Sequence, residues 1–364
     1  MRILSGLIVA ILSVTMIDIS SHAWAYSQDG EGAELPVRRI PNIPSSSEAY
    51  YAPDNFHFIV QTLDKDALQP SGERLTGSLT YIYSDDGKTS WRINDRGQDA
   101  CSWVFPDQKR VLWTSTRDNM DTPIGEWSNP QNYPQGAELY TSDMQGGDVV
   151  RLTNNDWYEA EVAISPDGKW ITFVREIEGN VNIWRMRADG SDEQQVTFTE
   201  DWQPGAPIYM PDSETIMFQG WRASEYGKVK PTPMTVFTIK HDGTELTQRT
   251  FDNGMYWGPA PIADGQHYLY TSVIEGHNYE LFLGDLKGGK PVRLTYNPSF
   301  DGMKSISPNG QKMIFNRPGK DGHGLFLHVM DLSSLNLGPE NYNGIPVTPV
   351  PADAVLVTDF TVVD

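Results

Sequence analysis

Cysteine is almost absent from this chain: Cys101 is the only one in 364 residues. One thiol cannot form an intramolecular disulfide, so no covalent staple holds the fold and stability must come from a packed core. A lipid anchor would need a cysteine just behind a leader, and Cys101 lies far downstream of any such position. Positive charge is scarce as well, with 28 Lys and Arg against 48 Asp and Glu, a formal net charge of −20. Nucleic acid is bound through clustered Lys and Arg, so this balance excludes it as a partner and disfavours anionic membrane surfaces. Catalytic signatures are missing too: there is no G-x-S-x-G elbow, no H-E-x-x-H helix and no Walker loop, and the seven histidines are scattered. No catalytic residue and no cofactor motif is assigned.

Long apolar runs are confined to the N-terminus. Arg2 opens an apolar stretch from Leu4 to Ile17 that ends in the small-residue pattern Ala23-Trp24-Ala25. The stretch is shorter than the roughly 18 residues a spanning helix needs, and Asp18 interrupts it. It is expected to be a secretory leader, residues 1–25, cleaved before Tyr26. The product is expected to be exported, periplasmic or secreted, with no membrane span. Its acidity would keep such a protein soluble.

What the chain does have is 32 Gly, 25 Pro and 11 Trp, the composition of many short strands joined by tight turns. Six nine-residue segments align: APDNFHFIV at 52, FPDQKRVLW at 105, SPDGKWITF at 165, MPDSETIMF at 210, IADGQHYLY at 262 and SPNGQKMIF at 307. Proline presets φ for the first turn position, Asp, Asn and Gly suit the next, and an apolar strand follows. Four 17-residue segments follow in step: AELYTSDMQGGDVVRLT at 137, VNIWRMRADGSDEQQVT at 181, MTVFTIKHDGTELTQRT at 234 and YELFLGDLKGGKPVRLT at 279. Each carries a central Gly turn and a final Thr, the pattern of a second hairpin. One period is therefore four strands, and six periods of about 45–60 residues predict an all-β, six-bladed β-propeller of four-stranded antiparallel blades.

The order of these elements, SPDG turn and strand, aromatic strand, ADG or GG turn, then RLT, resembles the propeller repeats of the TolB family over roughly residues 46–335. The resemblance implies the propeller fold and a role in binding protein or peptide. The same repeats also occur in oligogalacturonate lyase and in the accessory domains of prolyl-oligopeptidase-type proteases. TolB itself has an α/β domain ahead of its propeller, whereas the expected leader is followed here by a short extension, residues 26–45. The propeller is expected over residues 46–350, with a tail at 351–364. The last blade lacks a clear fourth strand. Either Glu34-Leu35-Pro36-Val37-Arg38 or the tail from Ala354 to Val363 would supply it.

If the first strand of each blade lines the channel, the inter-blade links and the loops after each second strand share one face. Two insertions fall there, Asp118 to Gln135 and Arg222 to Pro231. The insertions bring Trp127, Tyr133, Trp221 and Tyr226, and the links bring Trp157, Trp202, Tyr256 and Trp257, rings suited to peptide or saccharide recognition. Trp157 and Trp202 share a repeat position and so also suit wedging between blades. Inner strands begin at Ser46, Asp99, Glu159, Pro204, Tyr256 and Asp301. Two residues further in stand Glu48, Cys101, Glu161, Ala206, Gly258 and Met303. Asp99, Glu159, Glu161 and Asp301 are therefore candidate ligand groups. Asp99, Glu159 and Asp301 are also cation candidates, for an ion such as Ca2+, unless hydration and Lys304 balance them. Two readings remain open: an interaction module for a protein or peptide, and a carbohydrate-active lyase or hydrolase using a pair such as Glu159 and Glu161.

Overall fold

The computed structural model describes residues 34–63, 77–122, 125–339 and 355–356. The expected leader, residues 1–25, lies outside them, as does most of the tail. Six antiparallel sheets stand in a ring, and the only helical segment among the described residues is a 3-10 turn at Ser333–Leu335. The chain is a six-bladed β-propeller. Its inner strands are Ser46–Tyr51, Asp99–Val104, Tyr158–Ile164, Trp202–Tyr209, Trp257–Pro261 and Gly302–Ile306.

The repeated residues have repeated bonds. At each aligned turn the Asp or Asn side chain accepts the backbone N–H two residues on, at 2.9–3.1 Å. The next position takes positive φ, from 56° at Gln108 to 72° at Gly168. This is an Asx turn feeding the second strand. The final Thr of the second hairpin acts at longer range. The hydroxyls of Thr153, Thr197, Thr250 and Thr295 each accept a third-strand N–H at 2.9–3.0 Å, from Leu139, Ile183, Val236 and Leu281. Blade 1 lacks that Thr, and Asp99 from the next blade takes the place by accepting the Thr80 N–H at 2.8 Å. His57 and His267, equivalent in the repeat, each bond an Asp three residues earlier at 2.7 Å.

The core lies between blades. Ile59, Ile82 and Trp91 of blade 1 pack on Val104, Val111 and Trp113 of blade 2, and Ile314, Leu327 and Val329 of blade 6 pack on Tyr51, Phe58 and Val60 of blade 1. Every sheet thus covers its neighbour's apolar face. The fourth strand of blade 6 is Val37–Arg39, antiparallel to Met330, Val329 and His328. Leu35 and Ile40, both buried, pin it on either side, and the Glu34 carboxylate bonds Arg317 at 2.8 Å and the Tyr296 N–H at 2.9 Å. The tail segment Val355–Leu356 instead adds a fifth strand to blade 1, against Ser90 and Thr89.

The threonine caps give a direct test. Thr250→Val preserves shape but leaves the Val236 N–H unpaired and buried, which should cost about 1–3 kcal/mol in urea unfolding, while Thr250→Ser should cost no more than about 1 kcal/mol. Equal losses for Val and Ser would mean that the hydroxyl carries no weight.

Candidate binding site at the channel mouth

Every inner strand is broken by a bulge at one repeat position. Its register against the second strand shifts between Ser47 and Tyr50, Ala100 and Ser102, Ala160 and Ala163, Gly205 and Ile208, Trp257 and Ala260, and Gly302 and Ser305. The bulge residues are Glu48, Cys101, Glu161, Ala206, Gly258 and Met303, all with φ between 33° and 58°. Five of the six are not glycine, in a region L-residues seldom enter, so the surrounding sheet must enforce it. The bulge turns these residues toward the axis, where they form a collar.

Side chains of neighbouring blades bind the collar together. Glu161 accepts the Ala206 N–H, Gln219 accepts the Gly258 N–H at 2.5 Å, and the Cys101 thiol donates to Glu48 at 3.0 Å. The Lys304 ammonium bonds the carbonyls of Trp257, at 3.1 Å, and Gly258. Outside the collar opens a funnel of about 1530 Å³, walled by Trp127, Tyr133, Trp221, Tyr226, Trp257 and Phe300. Inside it lies a chamber of about 100 Å³ that reaches Lys304 and Thr271. Glu48, Cys101, Glu161 and Met303 border both spaces.

Burial controls the charges here. Desolvation raises the Glu48 carboxyl above its usual range, and it lifts Glu161 to about 7 against the Ala206 hydrogen bond, with the Glu48 charge adding to the rise. Desolvation alone brings Lys304 down to about 7 and pushes the Cys101 thiol up. A carboxyl that is half protonated near neutrality can accept or donate a proton, and it ionises fully when a cation arrives.

The structure divides the sequence-predicted residues. Trp127, Tyr133, Trp221, Tyr226, Trp257, Asp99 and Glu161 line the funnel. Tyr133 stacks flat on Tyr158 at 4.1 Å, and Trp221 lies 5.0 Å from Tyr226. Trp157, Trp202, Tyr256, Glu159 and Asp301 lie outside its wall. Trp202 takes the Arg222 guanidinium on its face at 4.4 Å, Trp157 faces Arg175 at 5.5 Å, and Tyr256 packs on Tyr270 at 4.8 Å. Trp157 and Trp202 thus pack on an arginine of their own blade, and Tyr256 joins the apolar cluster between blades 4 and 5.

Glu159 and Glu161 do not act as one pair, because Glu161 is the bulge residue and its side chain turns away from that of Glu159. Glu159 turns into the blade to bond Arg175 and, at 2.7 Å, Asn155. Asp301 bonds Arg317 at 2.6 and 2.8 Å, and Asp99 is held by Thr80 and Asn94. The three cation candidates therefore point at separate protein donors, and among the described residues no group of three His, Cys, Asp or Glu is placed to hold a metal. Glu161 instead shares the collar with Glu48, whose charge raises its pKa. Sequence reasoning also missed Gln61 and Gln219, which face Ser47 and Gly205 across the first ladder. That shared register was the available signal. The blade 5 hairpin, with Glu275 and His277 on the funnel rim, left no mark in the repeat.

No family profile matches the chain. An uncharacterised protein of Agrobacterium fabrum is 27% identical over 147 residues, 38% of this chain, and the chain spans about half, 47%, of that relative's length. Among solved structures, TolB from Acinetobacter baumannii superposes with a TM-score of 0.53 at 19% identity, covering 80% of this chain and 66% of that one. A TolB-type protein of Agrobacterium tumefaciens gives 0.55 at 17%, covering 82% and 98%. An oligogalacturonate lyase solved in complex with manganese gives 0.51 at 13%, covering 82% and 94%. At these identities the likeness is one of fold, and the fold is a TolB-like propeller.

Glu161 supplies a pH test. Its folded pKa, about 7, lies above its ordinary 4.5, so its contribution to stability is full below the lower value and is lost as pH rises through the upper one. Glu161→Gln locks in the neutral form. The variant should match the parent near about pH 5 and exceed it by about 1–3 kcal/mol near about pH 8 in denaturant unfolding. A difference that does not change with pH would contradict this assignment.

Proposed function

We propose that this chain is an exported interaction module whose funnel receives a segment of a protein or peptide partner. One observation carries the proposal: an aromatic-walled space of about 1530 Å³ opens on the face that holds both insertions. That volume exceeds the usual small-molecule pocket and suits several residues of extended chain. Trp and Tyr give rigid contact area with polar edges, the composition of binding hot spots. Export rests on the leader pattern of residues 1–25. Among the described residues no helix is long and apolar enough to cross a membrane.

A second reading has its own support, since Glu161 near 7 beside a second raised carboxyl suits acid–base chemistry on a saccharide. The two separate by experiment. A photoreactive phenylalanine analogue at Tyr226, on the funnel, should crosslink discrete envelope partners at least about tenfold more than the same group at Phe251, outside the funnel wall. Equal labelling at both positions would reject the interaction module. Turnover of acidic oligosaccharides abolished by Glu161→Gln would establish the second reading.

A further inference from the structure

Building on that funnel reading, we propose that the collar is a receptor for a primary ammonium group, an α-amino terminus or a lysine side chain, carried by the inserted segment and held by Glu48, Glu161 and Gln61.

Four buried acids of this protein are each answered by an arginine. Glu138 bonds Arg151, Glu159 bonds Arg175, Glu280 bonds Arg293 and Asp301 bonds Arg317. Each carries its own arginine, the ordinary condition for a buried carboxylate. Glu48 and Glu161 have no basic ion-pair partner among the described residues; buried Asp99 has none either, but it is bonded by the Thr80 N–H and hydroxyl and by the Asn94 amide. The ammonium within the channel does not serve them, since Lys304 spends its hydrogen bonds on the Trp257 and Gly258 carbonyls. Lys230 is the only Lys or Arg among the described residues lining the funnel, whereas Asp99 and Glu275 add negative charge.

Gln61 supplies the independent observation. It is 2% exposed and lines the funnel. Its amide nitrogen donates to Ser102 Oγ at 2.7 Å, which fixes the amide beside Cys101, yet its Oε1 has no partner. Gln61 pairs with Ser47, the neighbour of Glu48, and shares the funnel lining with Glu48 and Glu161. A buried acceptor without a donor is costly and native structures rarely leave one. Once ionised, two carboxylates offer acceptors only, as does the amide oxygen, and the group that matches three acceptors is –NH3+, with three donors and none to accept. The aromatic walls favour the same sign of charge through their ring faces. Quaternary or guanidinium heads bring the charge without that compact set of donors.

Three hexapeptide pools test the proposal on the purified full chain, immobilised at about 0.15 M salt: lysine-free with a free amino terminus, acetylated with lysine, and acetylated without lysine. At least one amine-bearing pool should be retained about tenfold or more over the blocked pool, and the stronger of the two identifies the source of the ammonium. Glu48→Gln with Glu161→Gln should erase that preference. The comparison of pools within the parent protein needs no variant to fold. Equal retention of all pools, retention of none, or a preference that survives the double substitution would overturn the proposal. Equal retention that Tyr226→Ala abolishes would remove the ammonium and leave peptide binding standing.

Discussion

A bulge at one position of each inner strand is the constraint on which the channel depends. An uninterrupted strand would alternate its side chains between the two faces of the blade and give the axis only backbone and small groups. The left-handed residue re-aims one side chain per blade toward the axis and exposes an N–H that the ladder no longer satisfies. Neighbouring blades supply the missing acceptors, Glu161 for Ala206 and Gln219 for Gly258. The collar is thus a set of cross-blade bonds as well as a constriction. The same device places the titratable groups where a ligand entering the funnel would meet them.

Around that collar the protein keeps two kinds of acid apart. The acids at strand starts are built into seams, each answered within its own blade or its neighbour, as Asp301 is by Arg317 and Asp99 by Thr80 and Asn94. Of these, Glu159 and Asp301 stay out of the channel, while Asp99 lines the funnel with its carboxylate bonded. The collar acids are answered only by backbone and thiol hydrogen bonds, so burial raises their pKa values. The distinction follows from geometry: two residues along a bulged strand do not face the same way.

Most of the fold was legible because its repeat writes each structural bond into a residue type. The Asp or Asn of the turn and the Thr that closes the second hairpin appear in the sequence because each satisfies a particular N–H in the structure. The aromatic insertions were legible as departures from that repeat, and Trp127, Tyr133, Trp221 and Tyr226 do reach the funnel. The link aromatics Trp157 and Trp202 were not separable from them by sequence. Each ring meets an arginine of its own blade, Arg175 and Arg222, and that pairing is made by sheet register.

The sequence by itself determined the number of blades, the strands per blade and the face that carries the insertions, since local turn chemistry and strand periodicity repeat within short windows. Tertiary structure alone decided which terminal segment fills blade 6, which carboxyls turn inward and which find arginines. Those outcomes depend on contacts between residues far apart in the chain, such as Glu34 with Arg317 and Glu161 with Ala206. A backbone angle of 54° at Glu161 is imposed by the blades on either side, and no local preference of glutamate announces it.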